Sequence, residues 1–153
     1  MRRIQPLLSP SDVGDFADEV QDLFLELGRT LGAQALAGEC SPTIDVFETD
    51  QAVEITVDLP GVDAAALRVL IKGDAVLIVG EKGTRRGRVE STYHLVERGF
   101  GRFARTVRLG RACDGAHAGA TLSDGELRIS IPKIVERRGR RIQIAIRSSP
   151  YPA

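Results

Sequence analysis

The sequence predicts an all-β protein, an immunoglobulin-like antiparallel β-sandwich with a helical N-terminal arm and a flexible C-terminal extension. Three observations lead there. After Pro42 the recurrence of apolar residues changes from a period of about 3.6 to one of 2 and keeps it almost to the end, the mark of half-buried strands. Turn residues punctuate the run at short intervals, with Gly73-Asp74 and Asp124-Gly125 suited to tight hairpins. No helical pattern separates the strands, which favours a sandwich over alternating strands and helices.

The elements follow in chain order. From Ser11 to Leu31 the residues Val13, Phe16, Val20, Leu23, Phe24, Leu27 and Leu31 recur at steps of three and four, as on an amphipathic helix. Ser11 and Asp12 can cap its start, and Asp15, Asp18 and Glu19 complement its dipole. Gly28, Gly32, Gly38 and Ser41-Pro42 then break the pattern. Strands are expected at Ile44–Glu48, Val53–Leu59, Leu67–Ile71, Val76–Val79, Phe103–Leu109, Ala120–Leu122 and Leu127–Ile131. Leu70, Leu77 and Val79 break the alternation, so their strands carry apolar residues towards both faces. Three parts are therefore expected: an arm over 1–41, a sandwich over 42–133 and an extension over 134–153.

Composition narrows the function. At 153 residues the chain has room for one domain with tails. With 42% hydrophobic and 27% charged residues it is globular, neither collagenous nor wholly disordered. No window reaches the roughly 18 apolar residues of a membrane span, and the start lacks the apolar stretch of a signal peptide. A cytoplasmic protein without a membrane span is expected. Residues 1–61 hold 3 basic and 12 acidic residues, net −9, and 62–153 hold 18 basic and 9 acidic, net +9. Opposite charge on two parts of one chain favours self-association.

Catalytic and cofactor chemistry finds no foothold. Cys40 and Cys113 are isolated, without the paired spacing of a zinc or thioredoxin-type site. Nothing sets His94 or His117 beside a thiol as a base. No G-x-x-x-x-G-K-[ST] run is present to cradle a nucleotide phosphate. Asp45, Glu54 and Asp58 take polar alternating positions and read as a solvated sheet face. The expectation is a protein that is not an enzyme, with no cofactor and no metal.

Two segments do not fit a plain sandwich. Residues 80–103 are polar and glycine-punctuated, and a loop of that length in a compact domain is usually functional. Tyr93, His94, Leu95, Val96 and Glu97 can form a short strand at its centre, either as a surface hairpin or as a strand for another edge. Beyond Lys133 a basic linker leads to Ile142, Ile144 and Ile146, which in an extended chain point the same way at steps of about 6.6 to 7 Å. They can fill successive pockets along a sheet edge or form a last strand of their own domain.

Several of these residues together resemble the small heat-shock protein family, of the bacterial and plant type. Ala120–Lys133 resembles its A-x-x-x-[ND]-G-x-L-x-[IV]-x-[IV]-P-K run, and Leu59-Pro60-Gly61-Val62 its L-P-G-[VI] turn. Gly80-Glu81-Lys82 resembles a strand end of the family, Tyr93-His94 through Glu97-Arg98 with Gly101 to Arg105 its aromatic-H-x-x-E-R and G-x-F-x-R stretch, and Ile142-Gln143-Ile144 its I-x-I anchor. The likeness spans roughly residues 42–146. Departures are Gly110 where the family often has proline, Glu126 in place of an aliphatic residue, and the additional Ile146.

The resemblance implies an α-crystallin domain and an ATP-independent holdase that binds partly unfolded client proteins. It implies a strand-swapped homodimer through residues 93–97, with Arg105 at the dimer interface, and assembly of dimers into a large homo-oligomer. Ile142, Ile144 and Ile146 would be the oligomer anchor, and Leu67, Val69, Ile71, Ala120 and Leu122 its groove. Phe16, Val20, Leu23, Phe24 and Leu27 would contact clients, while the alternative that this helix is plain core stays open. Arg105 could equally snorkel at the sandwich edge. Two further classes compete. A co-chaperone or adaptor on the same sandwich would need neither swap segment nor tail, and a nucleic-acid binder would use Arg137, Arg138, Arg140 and Arg141. That cluster lacks interleaved aromatic residues, so no nucleic-acid partner is expected.

Overall fold

In the strand Ala52–Asp58 the alternating pattern becomes a buried and an open face: Val53, Ile55 and Val57 are buried, while Ala52, Glu54 and Thr56 are half-buried and Asp58 is exposed. The structure is a computed structural model that describes residues 16–31, 40–83, 90–134 and Gln143, without the side chains of Gly28, Thr30 and Leu31. Its elements are α1 (Ala17–Leu31), β1 (Ile44–Glu48), β2 (Ala52–Asp58), β3 (Leu67–Lys72), β4 (Ala75–Lys82), β5 (Gly101–Arg108), β6 (Gly119–Ser123) and β7 (Glu126–Pro132). Each of the seven expected strands is present.

The strands form two antiparallel sheets, one in the order β1-β2-β7-β6 and one in the order β3-β4-β5. Their inner faces share one apolar core. Val53, Ile55, Val57, Leu127, Ile129 and Ile131 come from the first sheet, and Leu67, Val76, Ile78, Phe103 and Val107 from the second. The turns are those the sequence signals. Gly73 has φ +60 between β3 and β4, the first central position of a two-residue hairpin where glycine fits. Asp124 and Gly125 both have positive φ, at 53 and 77, as a type I′ turn requires.

β4 differs from the others. Every residue from Ala75 to Gly80 is buried, so both its faces are covered. Val76 and Ile78 face the shared core, whereas Ala75 and Leu77 join a second apolar cluster with Phe16, flanked by Val20 and Leu70. The expectation that Leu70 and Leu77 turn to the other face holds. The cover on that face is α1.

Gly80 shows how closely the inner layer is filled. A Cβ built there would lie 2.4 Å from Phe103 Cζ and 2.7 Å from Leu67 Cδ2, side chains of its two register partners. Gly80→Ala should therefore cost about 1–3 kcal/mol through overpacking, lowering the melting temperature at fixed protein concentration by several degrees. Gly83→Ala, where the added methyl meets nothing within 4 Å, should melt with the wild type. Equal melting of all three proteins would contradict this packing.

Candidate assembly and client surfaces

The five residues expected to line a groove stand on two edge strands, β3 of one sheet and β6 of the other. Leu67, Val69 and Ile71 pair with Gly80, Ile78 and Val76, and so point inward from β3, while Ala120 and Leu122 point inward from β6 opposite Ile129 and Leu127. Leu67 is buried, Val69, Ile71 and Leu122 are half-buried against the core, and Ala120 is exposed. A 3-10 turn at Gly115–His117 leads into β6 and touches the end of β3, where a Cβ on Gly115 would meet Ile71 Cγ2 at 3.3 Å. Ala120 on β6 is left open to solvent. Ile142, Ile144 and Ile146 lie outside the described residues.

Residues 91–99 are exposed and belong to neither sheet; no strand forms at Tyr93–Glu97 within the single chain. Tyr93, Leu95 and Val96 are 51%, 74% and 52% exposed, and His94 and Glu97 are exposed beside them. Yet β4 and β5 are antiparallel neighbours that pair Lys82 with Gly101, so a tight turn would join them. Arg105 pairs in register with Ile78 and lies between buried Phe103 and Val107 on β5, an edge strand, where it is half-buried. The alternation sets it on the core-facing side of that edge strand.

The five arm residues named from the sequence lie against the outer face of the β3-β4-β5 sheet. Phe16 and Leu27 are buried, and Val20, Leu23 and Phe24 are half-buried. Glu19 pairs with Lys72, and Glu26 pairs with Arg68 at 2.9 Å, both cations standing on β3. On the β5 side the Arg108 guanidinium lies 5.3 Å from the Phe16 ring centre and Arg102 lies 5.2 Å from that of Phe24. Both arginines are steadied by carboxylates of β4 and its hairpin, Asp74 and Glu81, each at 3.2 Å. The helix is held along β4 between a cationic border that takes acids and a cationic border that takes aromatic rings.

The strength of this docking is modest. Full burial of Phe16 and Leu27 contributes about 1.5–3 kcal/mol each, and exposed ion pairs add at most about 1 kcal/mol each. Against that, the Thr106 hydroxyl, opposite Leu77 on the covered face, is buried without a hydrogen-bond partner among the described residues, at a cost of about 1–3 kcal/mol. Sequence reasoning missed the framing role of Arg68, Lys72, Arg102 and Arg108. The available signal was the position of these cations on the same faces as Leu70, Leu77 and Val79.

A second charged tie fixes where the chain leaves the sandwich. Lys133 pairs with Glu48 at 2.8 Å and donates to the Thr49 carbonyl at 2.5 Å, Arg111 pairs with Glu48 at 3.1 Å, and Cys113 bridges to Lys133 through the backbone. The Ile134 N–H donates to the Ala112 carbonyl at 2.9 Å. Burial pushes the Cys113 thiol up, with the Glu48 charge adding and Lys133 opposing, so this cysteine is a poor nucleophile. His117 is paired with Asp114 at 2.6 Å, which holds that carboxyl below its usual range. Among the described residues no three His, Cys, Asp or Glu side chains gather as a metal site, and no helix is long and apolar enough to cross a membrane.

Known proteins share this fold. The sequence matches the Hsp20/alpha crystallin family over residues 45–145. It is 35% identical over 104 residues to spore protein SP21 of Stigmatella aurantiaca, covering 68% of this chain but only 62% of that relative's length. It is 34% identical over 137 residues to heat shock protein 16 of Schizosaccharomyces pombe, covering 86% of this chain and 94% of the other. Among solved structures, heat shock protein 16.0 of Schizosaccharomyces pombe matches with a TM-score of 0.60 at 35% identity, over 71% of this chain and all of that one. A small heat-shock protein of Xylella fastidiosa gives 0.60 at 31% identity, over 70% and 98%.

The tie at Lys133 predicts a pH dependence. The Lys133 hydrogen bond, the Lys133 charge and Arg111 together hold the Glu48 carboxyl below its ordinary value, with burial opposing. A depressed carboxyl contributes stability above its unfolded-state pKa and loses it as pH falls through the lower folded value. Glu48→Gln should therefore cost a few tenths to about 1 kcal/mol at pH 7. In thermal melts from pH 7 to pH 3 its gap from the wild type should close as the carboxylate protonates. A gap independent of pH would contradict the tie.

Proposed function

The chain belongs to the Hsp20/alpha crystallin family, a family of small heat-shock chaperones rather than enzymes, and from that premise we propose that it is an ATP-independent holdase. It binds partly unfolded proteins in the cytoplasm and keeps them from aggregating. Its sandwich, over 42–133, carries a client-binding arm over 1–41 and a tethering extension over 134–153. The observation that carries this reading is the excursion between β4 and β5. Residues 91–99 lie outside both sheets with Tyr93, Leu95 and Val96 exposed, although the strands they join are paired neighbours. A tight turn would suffice to join β4 and β5, whereas a dimer gains from the longer segment a strand for the partner's edge and hides that edge from aggregation.

Arg105, half-buried on the edge strand β5, is suited to pair across that dimer contact. A groove between β3 and β6 would serve the next level of assembly. Ile142, Ile144 and Ile146 of a neighbouring chain would fill it, since the steps from Lys133 to Ile142 span up to about 30 Å when extended. Each isoleucine gives at most about 1.5–3 kcal/mol before ordering costs, so one anchor is weak and many hold by avidity. Release of anchors on heating would expose that groove, and Phe16, Val20, Leu23, Phe24 and Leu27 would meet clients when the arm lifts. Clients and fellow subunits are the partners in this account, and nucleic acid is not one.

Two outcomes follow. The purified protein should suppress heat-induced turbidity of an unrelated client without ATP; unchanged turbidity at equimolar or higher ratios would remove the holdase reading. Ile142→Ala with Ile144→Ala should reduce a large oligomer to dimers in light scattering, because the change spares every strand of the sandwich. A variant that keeps the wild-type mass would mark those isoleucines as a local strand and favour an adaptor module.

A further inference from the structure

The outer face of the β3-β4-β5 sheet is built to hold a helix of one particular chemistry. Its middle is aliphatic, with Leu70, Ala75, Leu77 and Val79. Its β3 border presents Arg68 and Lys72, its β5 border Arg102 and Arg108. α1 satisfies both borders at once. Glu19 and Glu26, two turns apart, meet the β3 cations, and Phe16 and Phe24, also about two turns apart, lie under the β5 guanidiniums. Nothing in this fit depends on α1 being part of the same chain, because side chains alone make it.

The cover is also incomplete as a permanent core. Val20, Leu23 and Phe24 stay half-exposed, the ion pairs lie at the surface, and the Thr106 hydroxyl is shut in without a partner among the described residues. A helix of 15 residues is close to the length at which isolated helices are marginal, so its folding rests on this docking. Partly unfolded proteins, meanwhile, keep secondary structure while losing side-chain packing, and so offer amphipathic helices with open apolar faces.

We propose that this sheet face is a client-binding site for amphipathic helices carrying acidic residues along one flank and aromatic residues along the other, and that α1 occupies it in the resting chain. This rests on the holdase reading and adds to it a site and a substrate class. Recognition is of the helix-in-groove kind, with the apolar stripe supplying affinity and the two cationic borders supplying orientation and choice. A basic helix is rejected at Arg68 and Lys72.

The test uses the full-length chain and a fluorescein-labelled synthetic helix, unrelated in sequence, with Leu along its centre, Glu along one flank and Phe along the other. A second probe carries Lys in place of every Glu. Glu19→Lys with Glu26→Lys sets the arm against Lys72 and Arg68 without touching an inner-core residue, and circular dichroism checks that the β signal is kept. By fluorescence anisotropy this variant should bind the Glu probe at least tenfold more tightly than the wild type. The Lys probe should bind weakly to both, and hydrogen exchange should show new protection in β3 to β5. A Glu probe binding the two chains equally, or neither, would overturn the proposal, as would equal binding of the two probes. Binding only by a peptide of residues 16–31 would also overturn it, assigning the face to the arm of a second copy. The turbidity assay is scored separately: suppression with no probe preference removes this site and leaves the holdase, and probe preference without suppression does the reverse.

Discussion

β4 is apolar on both sides, and the rest of the molecule is arranged around covering it twice. A strand with one buried face needs one partner layer. With Val76 and Ile78 turned to one side and Ala75, Leu77 and Val79 to the other, all fully buried, this strand needs two. The inner cover is the β1-β2-β7-β6 sheet, and it defines the sandwich. The outer cover is α1, which reaches it from outside the run of strands and brings its own acids and aromatic rings to the borders. This one demand explains why an arm bearing Glu19 and Glu26 and a sheet bearing Lys72 and Arg68 occur in one chain.

The two covers differ in kind. The inner one interlocks closely enough that Gly80 cannot take a methyl without displacing Phe103 or Leu67, as in any well-packed interior. The outer one meets β4 along a single helix with half-exposed apolar residues and surface ion pairs. The proposed holdase reading uses such a division: one interface that stays closed, and another that opens at modest cost and closes again. The edge strand β6 likewise leaves Ala120 open to solvent in the single chain.

The sandwich was legible because alternation records burial one residue at a time. Val53, Ile55 and Val57 could be assigned inward from spacing alone, and the turns at Gly73 and Asp124-Gly125 from their tolerance of positive φ. That β3 and β6 are edge strands could not be read from spacing, since nothing local tells an edge strand from a central one. The polar, glycine-punctuated stretch also marked residues 93–97 as distinct, and they lie exposed outside both sheets. What could not be read was the partnership between Glu19 and Lys72, Glu26 and Arg68, or Glu48 and Lys133. These join residues far apart in sequence, and charge has no periodicity that names its partner. The broken alternation at Leu70, Leu77 and Val79 announced a second cover without saying that the amphipathic helix would supply it.

Native-state hydrogen exchange on the full-length protein tests the separation of the two covers most directly. The account predicts that α1 amides exchange through a local opening several kcal/mol below that of β2, β4 and β7, whose amides exchange together near global unfolding. It also predicts that the α1 opening leaves the β4 backbone protected, because its hydrogen bonds run to β3 and β5. Exchange of α1 only in concert with the sandwich strands would contradict the account, and the helix would then be permanent core.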